Sequence, residues 1–223
     1  PSQFNDQADF AKYPVTLEKD IRMLEECGCD ILFLPGVEEI YPDGWRNPES
    51  YDLGSLENLL EGTYRPGHFQ GVCQVVHRLL DIVKPAAIFM GQKDFQQCMV
   101  VKRLIELKNL PVQLHTCPTL REPDGLAMSS RNMRLNNMQR ETATAIYREM
   151  TRIKNDLALF PFRDLEKKAT ENLLKAGFSK VDYVSIAIQG TLEPLETGNN
   201  DTLAVVLVAA FLGEVRLIDN LLL

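Results

Sequence analysis

The chain has 223 residues, of which 45% are hydrophobic and 25% are charged, and its formal net charge is −7. A chain of this length buries roughly 70% of its unfolded surface on folding, so it requires neither disulfides nor a metal to form a core. The longest apolar run, residues 203–212, is about half the length of a membrane-spanning helix, and the acidic balance argues against a protein that coats nucleic acid. We therefore expect a soluble protein of one or two domains.

The first half of the chain alternates predicted helices with predicted strands. Apolar residues at helical spacing over 17–27 predict a helix that begins after Thr16 and ends at Gly28. The apolar run 30–35 is typical of a buried strand. The alternation continues with a helix over 72–83, a buried strand over 86–90, a helix over 95–107 and a strand over 112–117. This order predicts an α/β domain built on a parallel, doubly wound sheet.

The pattern changes near residue 132. Helices are predicted over 137–157 and 165–176, followed by strands over 181–188, 203–211 and 215–218. Gly213-Glu214, between the last two strands, is typical of a two-residue hairpin turn. We therefore predict an α/β domain over 1–132 and a smaller α+β domain over 133–223.

Ligands of open parallel sheets bind beyond the carboxyl ends of the strands, and Gly91-Gln92-Lys93-Asp94 directly follows a predicted strand. The glycine allows close backbone approach, and the following helix N-terminus favours anions. Lys93 suits phosphate oxygens, and Asp94 suits a sugar hydroxyl or orients the lysine. From these four residues alone, an ordinary helix-start loop with Asp94 as N-cap is the favoured interpretation.

A second candidate segment, residues 121–132, follows the next strand and contains Ser129, Ser130 and Arg131. Hydroxyl donors and a guanidinium suit a polyphosphate leaving group, although the composition fits a polar interdomain linker equally well. Residues 61–69 resemble a Gly/Pro loop with a surface arginine, Arg65. Because residues 1–132 carry a net charge of −6, an anion site there requires the cations of two strand ends to converge on one crevice.

The five cysteines have no metal-ligand spacing and are an odd number. They predict reduced, buried thiols in a cytoplasmic protein. His77 and His115 are interpreted as structural. The sequence contains no P-loop, no Gly-x-Gly-x-x-Gly dinucleotide turn and no Gly-x-Ser-x-Gly elbow.

Six short motifs, in matching order, resemble the pantoate–β-alanine ligase family, also called pantothenate synthetases. They are PSQFN at 1–5, YP at 13–14, YPDG at 41–44, RPGHFQGV at 65–72, GQKDFQQ at 91–97 and DGLAMSSRN at 124–132. The resemblance continues to Asp219-Asn220 and so covers the whole chain. It implies a Rossmann-like nucleotidyltransferase domain with a parallel sheet, followed by a C-terminal α+β lid domain.

The resemblance also implies a reaction. ATP and pantoate form pantoyl adenylate and pyrophosphate, and β-alanine then displaces AMP to give pantothenate, with Mg²⁺ accompanying the ATP. The implied partners are these small molecules, not nucleic acid or a membrane, and the implied assembly is a cytoplasmic homodimer.

The site residues implied by the resemblance fall into two sets. Pantoate would bind Gln3 and Gln97, and Gln3 would also border the β-alanine site. ATP would be held by Gly91, Gln92, Lys93, Asp94, Leu120, Met128, Ser129, Ser130 and Arg131. Lys93, Ser129, Ser130 and Arg131 would be catalytic.

The chain departs from the family pattern at two places. Gln92 stands where the family usually has Glu, and no His-x-Gly-His motif occurs in this sequence. We therefore expect a family member that lacks the opening βα segment carrying that motif. An inactive ligand-binding fragment and a different nucleotidyltransferase, such as a cytidylyltransferase, are the alternatives; Gln3 and Gln97 argue against the latter, which needs no pantoate pocket.

Overall fold

The computed structural model describes residues 16–42, 44, 49–197 and 202–223. The α-helices are α1 (Leu17–Glu26), α2 (Val37–Ile40), α3 (Glu61–Tyr64), α4 (His68–Val83), α5 (Phe95–Leu107), α6 (Asn137–Ala143), α7 (Ala145–Asp156) and α8 (Phe162–Ala176). The strands are β1 (Ala87–Gly91), β2 (Gln113–Cys117), β3 (Lys180–Ile188), β4 (Ala204–Leu212) and β5 (Val215–Leu222). No helix in the described ranges is long and apolar enough to cross a membrane.

Strands β1 and β2 form a parallel pair joined by α5, as the alternating pattern predicts. Their register runs from Ala87 opposite Gln113 to Gly91 opposite Cys117, so both carboxyl ends lie at one edge. Helix α5 has the predicted bounds because its fully buried face, which includes Val100, Val101 and Leu104, repeats at helical spacing. The segments that follow β1 and β2 therefore begin on the same side of the sheet.

The predicted buried strand over 30–35 is wrong. Residues 30–36 have no regular structure, and the Ile31 side chain is 83% exposed. An apolar run becomes a strand only by pairing with a neighbour, and within the described part of the chain this segment pairs with none. The prediction that β1 is a buried strand is also wrong. Its Phe89 is 69% exposed, and the ring stacks on His115 of β2.

The C-terminal part is an antiparallel sheet in the order β3-β4-β5, with α7 and α8 packed against it. The predicted hairpin between β4 and β5 is confirmed, and Gly213 at its turn has a φ of +57°. The helix predicted over 137–157 is divided into α6 and α7 at Thr144. The Thr144 hydroxyl donates to the carbonyl oxygen of Glu141, a local bond of the kind that competes with regular helix.

Apart from Leu126, the two large hydrophobic cores lie on either side of the predicted domain boundary, and a smaller cluster contains side chains from both sides. In the first, α4 and α5 pack around Phe69 and Leu104; the second fills the space between α7, α8 and the antiparallel sheet. Leu192 and Val205 belong to this smaller cluster. Leu126, from the proposed first domain, packs in the second core, so the boundary near 132 stays a prediction.

All five cysteines are free thiols. Cys73 and Cys98 are buried as predicted, and burial raises the pKa of Cys73 to about 12 and that of Cys98 to about 11. Cys27, Cys29 and Cys117 are exposed, so the prediction of buried thiols is wrong for these three.

Candidate active site

A cleft of about 590 Å³ is lined by the turn after β1, the segment 126–134, α3 and strands of the C-terminal sheet. Six of its lining side chains are cationic: Arg65, Lys93, Arg131, Arg134, Lys180 and Arg216. Five are acidic: Glu61, Asp94, Asp182, Glu214 and Asp219. In a chain with a net charge of −7, this concentrates cations from two strand ends in one place, as the anion-site argument requires.

The turn after β1 carries Lys93 into the cleft. Residues Gln92–Asp94 form one 3-10 turn between Gly91, the last residue of β1, and Phe95, the first of α5. The Lys93 ammonium lies 3.8 Å from the Asp94 carboxylate. Asp94 occupies the N-cap position of α5 but its side chain makes no capping hydrogen bond. Asp94 is therefore the N-cap residue, as predicted, but its carboxylate lies beside Lys93 in the cleft lining and does not cap the helix.

Gly91 offers space and needs no unusual backbone angle. Its φ is −73°, and a Cβ atom at this position would meet nothing within 4 Å. The open space is consistent with close approach by a ligand. Gln92 lies beside it but does not line the cleft, because its side-chain amide donates to Asn220 of β5.

Ser129 and Arg131 line the same cleft from the loop that follows β2. The Ser129 hydroxyl oxygen accepts a hydrogen bond from the Arg131 main-chain N–H at 3.3 Å. Ser130 begins a 3-10 turn over Ser130–Arg134 and is outside the cleft lining. The Asn132 side chain donates to the carbonyl oxygen of Ala127 and closes the loop. This segment is thus a structured loop at the cleft, not a plain linker.

Leu120 and Met128 lie together at the base of this loop. The Met128 N–H donates to the Leu120 carbonyl oxygen at 2.9 Å. Both side chains are exposed, and neither lines the cleft.

Gln97 lines a smaller cavity of about 40 Å³ beside the cleft. Six residues line both spaces: Glu61, Arg65, Lys93, Asp94, Ile218 and Asp219. The amide of Gln97 therefore lies next to the site where Lys93 would meet phosphate. Gln3, the other predicted pantoate ligand, is outside the described residues.

A buried ion network that no sequence pattern predicted lies in the cleft. Glu61 is only 7% exposed, and both its carboxylate oxygens accept from the Arg216 guanidinium, at 2.7 and 2.8 Å. Tyr183 donates its hydroxyl to the same carboxylate at 2.7 Å, and Arg216 also donates to Asp182 at 2.8 Å. Burial raises the pKa of Glu61, but the hydrogen bonds and charge of Arg216 outweigh it, so that pKa lies below its ordinary value.

This network also corrects the interpretation of residues 61–69 as a surface loop. Glu61 begins helix α3, and Arg65 is largely buried with its guanidinium 3.5 Å from the Glu61 carboxylate. Burial, opposed by Glu61, lowers the pKa of Arg65. The only local signal was a charged residue, Arg216, placed between the apolar Val215 and Leu217.

A second buried ion pair connects the loop after β2 with strand β5. The guanidinium of Arg121 donates twice to the Asp219 carboxylate, at 2.6 and 3.0 Å, and packs 4.1 Å from the centre of the Tyr147 ring. Burial raises the pKa of Asp219 despite this pairing. Gly125 is required beneath the same ring, because its φ is +91° and a Cβ would lie 2.3 Å from Tyr147.

Comparison with known proteins decides the family. The family model described as pantoate-beta-alanine ligase matches residues 1–222. The chain belongs to the pantoate-β-alanine ligase family. The pantothenate synthetase of Bacteroides thetaiotaomicron is 39% identical over 221 residues, which is 99% of this chain and 78% of that protein. The resemblance found in the sequence motifs is therefore confirmed.

Solved structures of the family confirm the fold. The crystal structure of pantothenate synthetase from Thermus thermophilus has a TM-score of 0.90 and 40% identity, covering 99% of this chain and 79% of that chain. The pantoate-β-alanine ligase from Francisella tularensis, complexed with beta-gamma ATP and β-alanine, has a TM-score of 0.81 and 36% identity, covering 100% and 76%. The parallel pair with its helices and the separate antiparallel sheet match the predicted Rossmann-like domain and lid.

Proposed function

We propose that this chain is an ATP-dependent ligase that joins pantoate to β-alanine through pantoyl adenylate, and that the reaction takes place in the cleft. One observation carries the proposal: Lys93, Ser129 and Arg131, from the segments that follow two paired parallel strands, line one cleft, and Gln97 lines the smaller cavity beside it. Cations beside an amide-lined cavity suit a nucleotide and a small hydroxy acid. The family membership supplies the identity of the substrates.

In the first step, a pantoate carboxylate oxygen attacks the α-phosphorus of ATP while the bond to the bridging oxygen of pyrophosphate breaks. Negative charge grows on the departing pyrophosphate. Lys93 and Arg131 stabilise that charge, and the Ser129 and Ser130 hydroxyls donate hydrogen bonds to the phosphate oxygens. In the second step, the β-alanine amine attacks the acyl carbon, AMP leaves, and the amine loses a proton. The contribution of the protein is positioning and charge stabilisation.

The remaining family assignments complete the proposed ATP and pantoate sites. Gly91 lets the nucleotide approach the main chain, Asp94 binds a ribose hydroxyl, and Gln92 supports the turn. Leu120 contacts the adenine side through its main chain. Met128 belongs to the phosphate-binding loop with Ser129, Ser130 and Arg131, and its N–H donates to the Leu120 carbonyl oxygen. Gln97 and Gln3 bind pantoate.

Mg²⁺ is proposed to arrive with the ATP phosphates. Such an ion needs only one or two protein carboxylates, because phosphates and water supply its other oxygens. Acidic side chains line the cleft, and no group of three or more His, Cys, Asp or Glu in the described ranges forms a ready-made metal cage. The ion neutralises phosphate charge when bound.

On family membership we further propose a homodimer located in the cytoplasm, with the domain division at residue 132. The five free thiols are consistent with a reducing compartment. Sedimentation velocity tests the dimer.

The reaction itself is tested by leaving out one substrate at a time. With ATP, Mg²⁺ and pantoate, we expect pyrophosphate release, and with β-alanine added we expect stoichiometric AMP and pantothenate. Pyrophosphate release that does not require pantoate would contradict the proposal and favour a different nucleotidyltransferase. ATP binding with no turnover would favour the ligand-binding alternative.

Replacing Gln97 by alanine is expected to raise the KM for pantoate while leaving the ATP affinity nearly unchanged. The substitution leaves a substrate hydroxyl or carboxylate without its partner, at a cost of about 1–3 kcal/mol, or roughly 5- to 150-fold in KM. Initial rates at saturating ATP measure this. Gln113→Ala, on exposed β2, is the control; equal losses of affinity for both substrates would contradict a dedicated pantoate role.

A further inference from the structure

Strand β5, in the C-terminal part, ends beside both loops of the proposed ATP site. Two consecutive residues on it, Asp219 and Asn220, make the contacts. Both are buried, and Asn220 is only 2% exposed.

Asn220 holds the turn that carries Lys93. Its side-chain amide donates to the main-chain carbonyl oxygens of Gln92 and Lys93, at 2.9 and 2.8 Å. Its amide oxygen accepts from the Gln92 side chain at 3.1 Å. All three bonds end on the turn between β1 and α5, and they use both donors and the acceptor of one amide. An amide buried in this way fixes the main chain on both sides of the Lys93 Cα.

Asp219 holds the other loop. Its carboxylate accepts twice from Arg121, and the same guanidinium donates to the carbonyl oxygens of Gly125, at 3.0 Å, and Asn220, at 3.1 Å. Arg121 also pairs by a β-bridge with Ala127, two residues before Ser129. The Asn220 N–H donates to the Asp219 carboxylate at 2.8 Å, which connects the two anchors.

We propose that the Asp219-Asn220 pair positions the two phosphate-binding loops relative to each other, with Asn220 acting through Lys93 and Asp219 acting through Arg121. Neither residue touches the reacting atoms; each sets where a cation lies. The inference rests on the proposed function, because it takes Lys93 and the Ser129–Arg131 loop as the ATP site. A displacement of about 1 Å in a binding group is enough to cost on the order of 100-fold in rate.

The test uses Asn220→Asp in the full chain. The variant keeps the size of the side chain but replaces two donors by an oxygen that faces two carbonyl oxygens. Asn172→Asp is the matched control, because Asn172 on α8 donates to the buried Glu149 at 2.8 Å and lies outside the cleft lining. Each variant is compared by its Tm, by the Kd for a non-hydrolysable ATP analogue, and by the kcat and KM of pantoate-dependent pyrophosphate release.

We expect Asn220→Asp to weaken analogue binding and slow pyrophosphate release by about 10- to 100-fold. Asn172→Asp should lower the Tm and change both quantities by less than about twofold. The proposal would be overturned if Asn220→Asp lost no more analogue affinity and no more pyrophosphate-release rate than Asn172→Asp.

A double-mutant cycle with Lys93→Ala distinguishes a role of Asn220 in positioning Lys93 from a general destabilisation of the fold. If Asn220 acts through Lys93, adding Asn220→Asp to Lys93→Ala should weaken analogue binding by less than about threefold more. Independent, additive losses would overturn the proposal for Asn220. The role of Asp219 is tested with Arg121→Lys, since lysine keeps the positive charge but cannot donate two parallel hydrogen bonds to the Asp219 carboxylate. Unchanged analogue binding in this variant would overturn the part of the proposal that concerns Asp219.

These measurements also distinguish the two proposals. If the unmodified chain binds the analogue but releases no pyrophosphate with pantoate, the proposed reaction fails. The positioning role of Asn220 can then still be tested by the Kd values of the double-mutant cycle. If the unmodified chain binds no analogue, both proposals fail.

Discussion

Lys93→Ala is expected to slow pantoyl-adenylate formation by about 100-fold or more. The ammonium group is the cation that the turn after β1 delivers to the cleft; the phosphates of bound ATP already carry negative charge, and more develops as pyrophosphate leaves. The loss should therefore appear in kcat, measured as pantoate-dependent pyrophosphate release, and also as a weaker Kd for a non-hydrolysable ATP analogue. The fold should persist, because the lysine's only ion pair within the described residues is with the neighbouring Asp94 at 3.8 Å.

Lys102→Ala supplies the matched control for that substitution. Lys102 is an exposed lysine on α5, the helix that begins directly after the turn. Its removal changes the net charge equally but should leave the rate within about twofold. Near-normal pyrophosphate release by Lys93→Ala would show that the ATP site has been assigned to the wrong residues.

Of the proposed substitutions, Glu61→Gln is expected to lower the free energy of unfolding the most. Glutamine would remove the charge that pairs with Arg216 and would place an N–H donor against the donors of the guanidinium. Breaking a buried ion pair by changing one partner costs about 3–5 kcal/mol in the free energy of unfolding, which for a chain of this size lowers the Tm by roughly 10 °C. Thermal unfolding at pH 7 measures the change.

The pH dependence of this loss has a definite sign. Because pairing with Arg216 outweighs burial and holds the pKa of Glu61 below its ordinary value, the ionised carboxylate stabilises the folded state above the unfolded pKa. That stabilisation is lost as the pH falls through the folded pKa. The difference in Tm between the unmodified chain and Glu61→Gln should therefore be constant near neutrality and shrink on acidification below about pH 4.

Glu196→Gln is the control for the Glu61 prediction. Glu196 pairs with Arg163, and both side chains are largely exposed. Exposed ion pairs contribute little, so this variant should change the Tm by less than about 2 °C. Equal effects of the two substitutions would refute the structural role of the buried network.

Much of the local architecture was available from the sequence. The bounds of α5, the parallel pair β1–β2 and the hairpin at Gly213 follow from apolar spacing and turn chemistry over fewer than about 15 residues. The same reasoning placed Lys93 and Arg131 after the carboxyl ends of two strands, which is why their convergence in one cleft could be predicted. The family followed from six ordered motifs.

Only the tertiary structure shows which charged side chains are buried together and which apolar segments pair with a neighbouring strand. Glu61 and Arg216 are 155 positions apart, and Gln92 and Asn220 are 128 apart, so no local pattern reveals that they meet. Residues 30–35 have the composition of a strand but lack a described neighbour to pair with, and pairing is a property of the whole sheet. The family and most of the helices and strands could be predicted from the sequence, although the predictions of a strand over 30–35 and of a single helix over 137–157 are wrong. The contacts that hold Lys93 and Arg216 in place depend on distant segments, which only folding brings within hydrogen-bond distance.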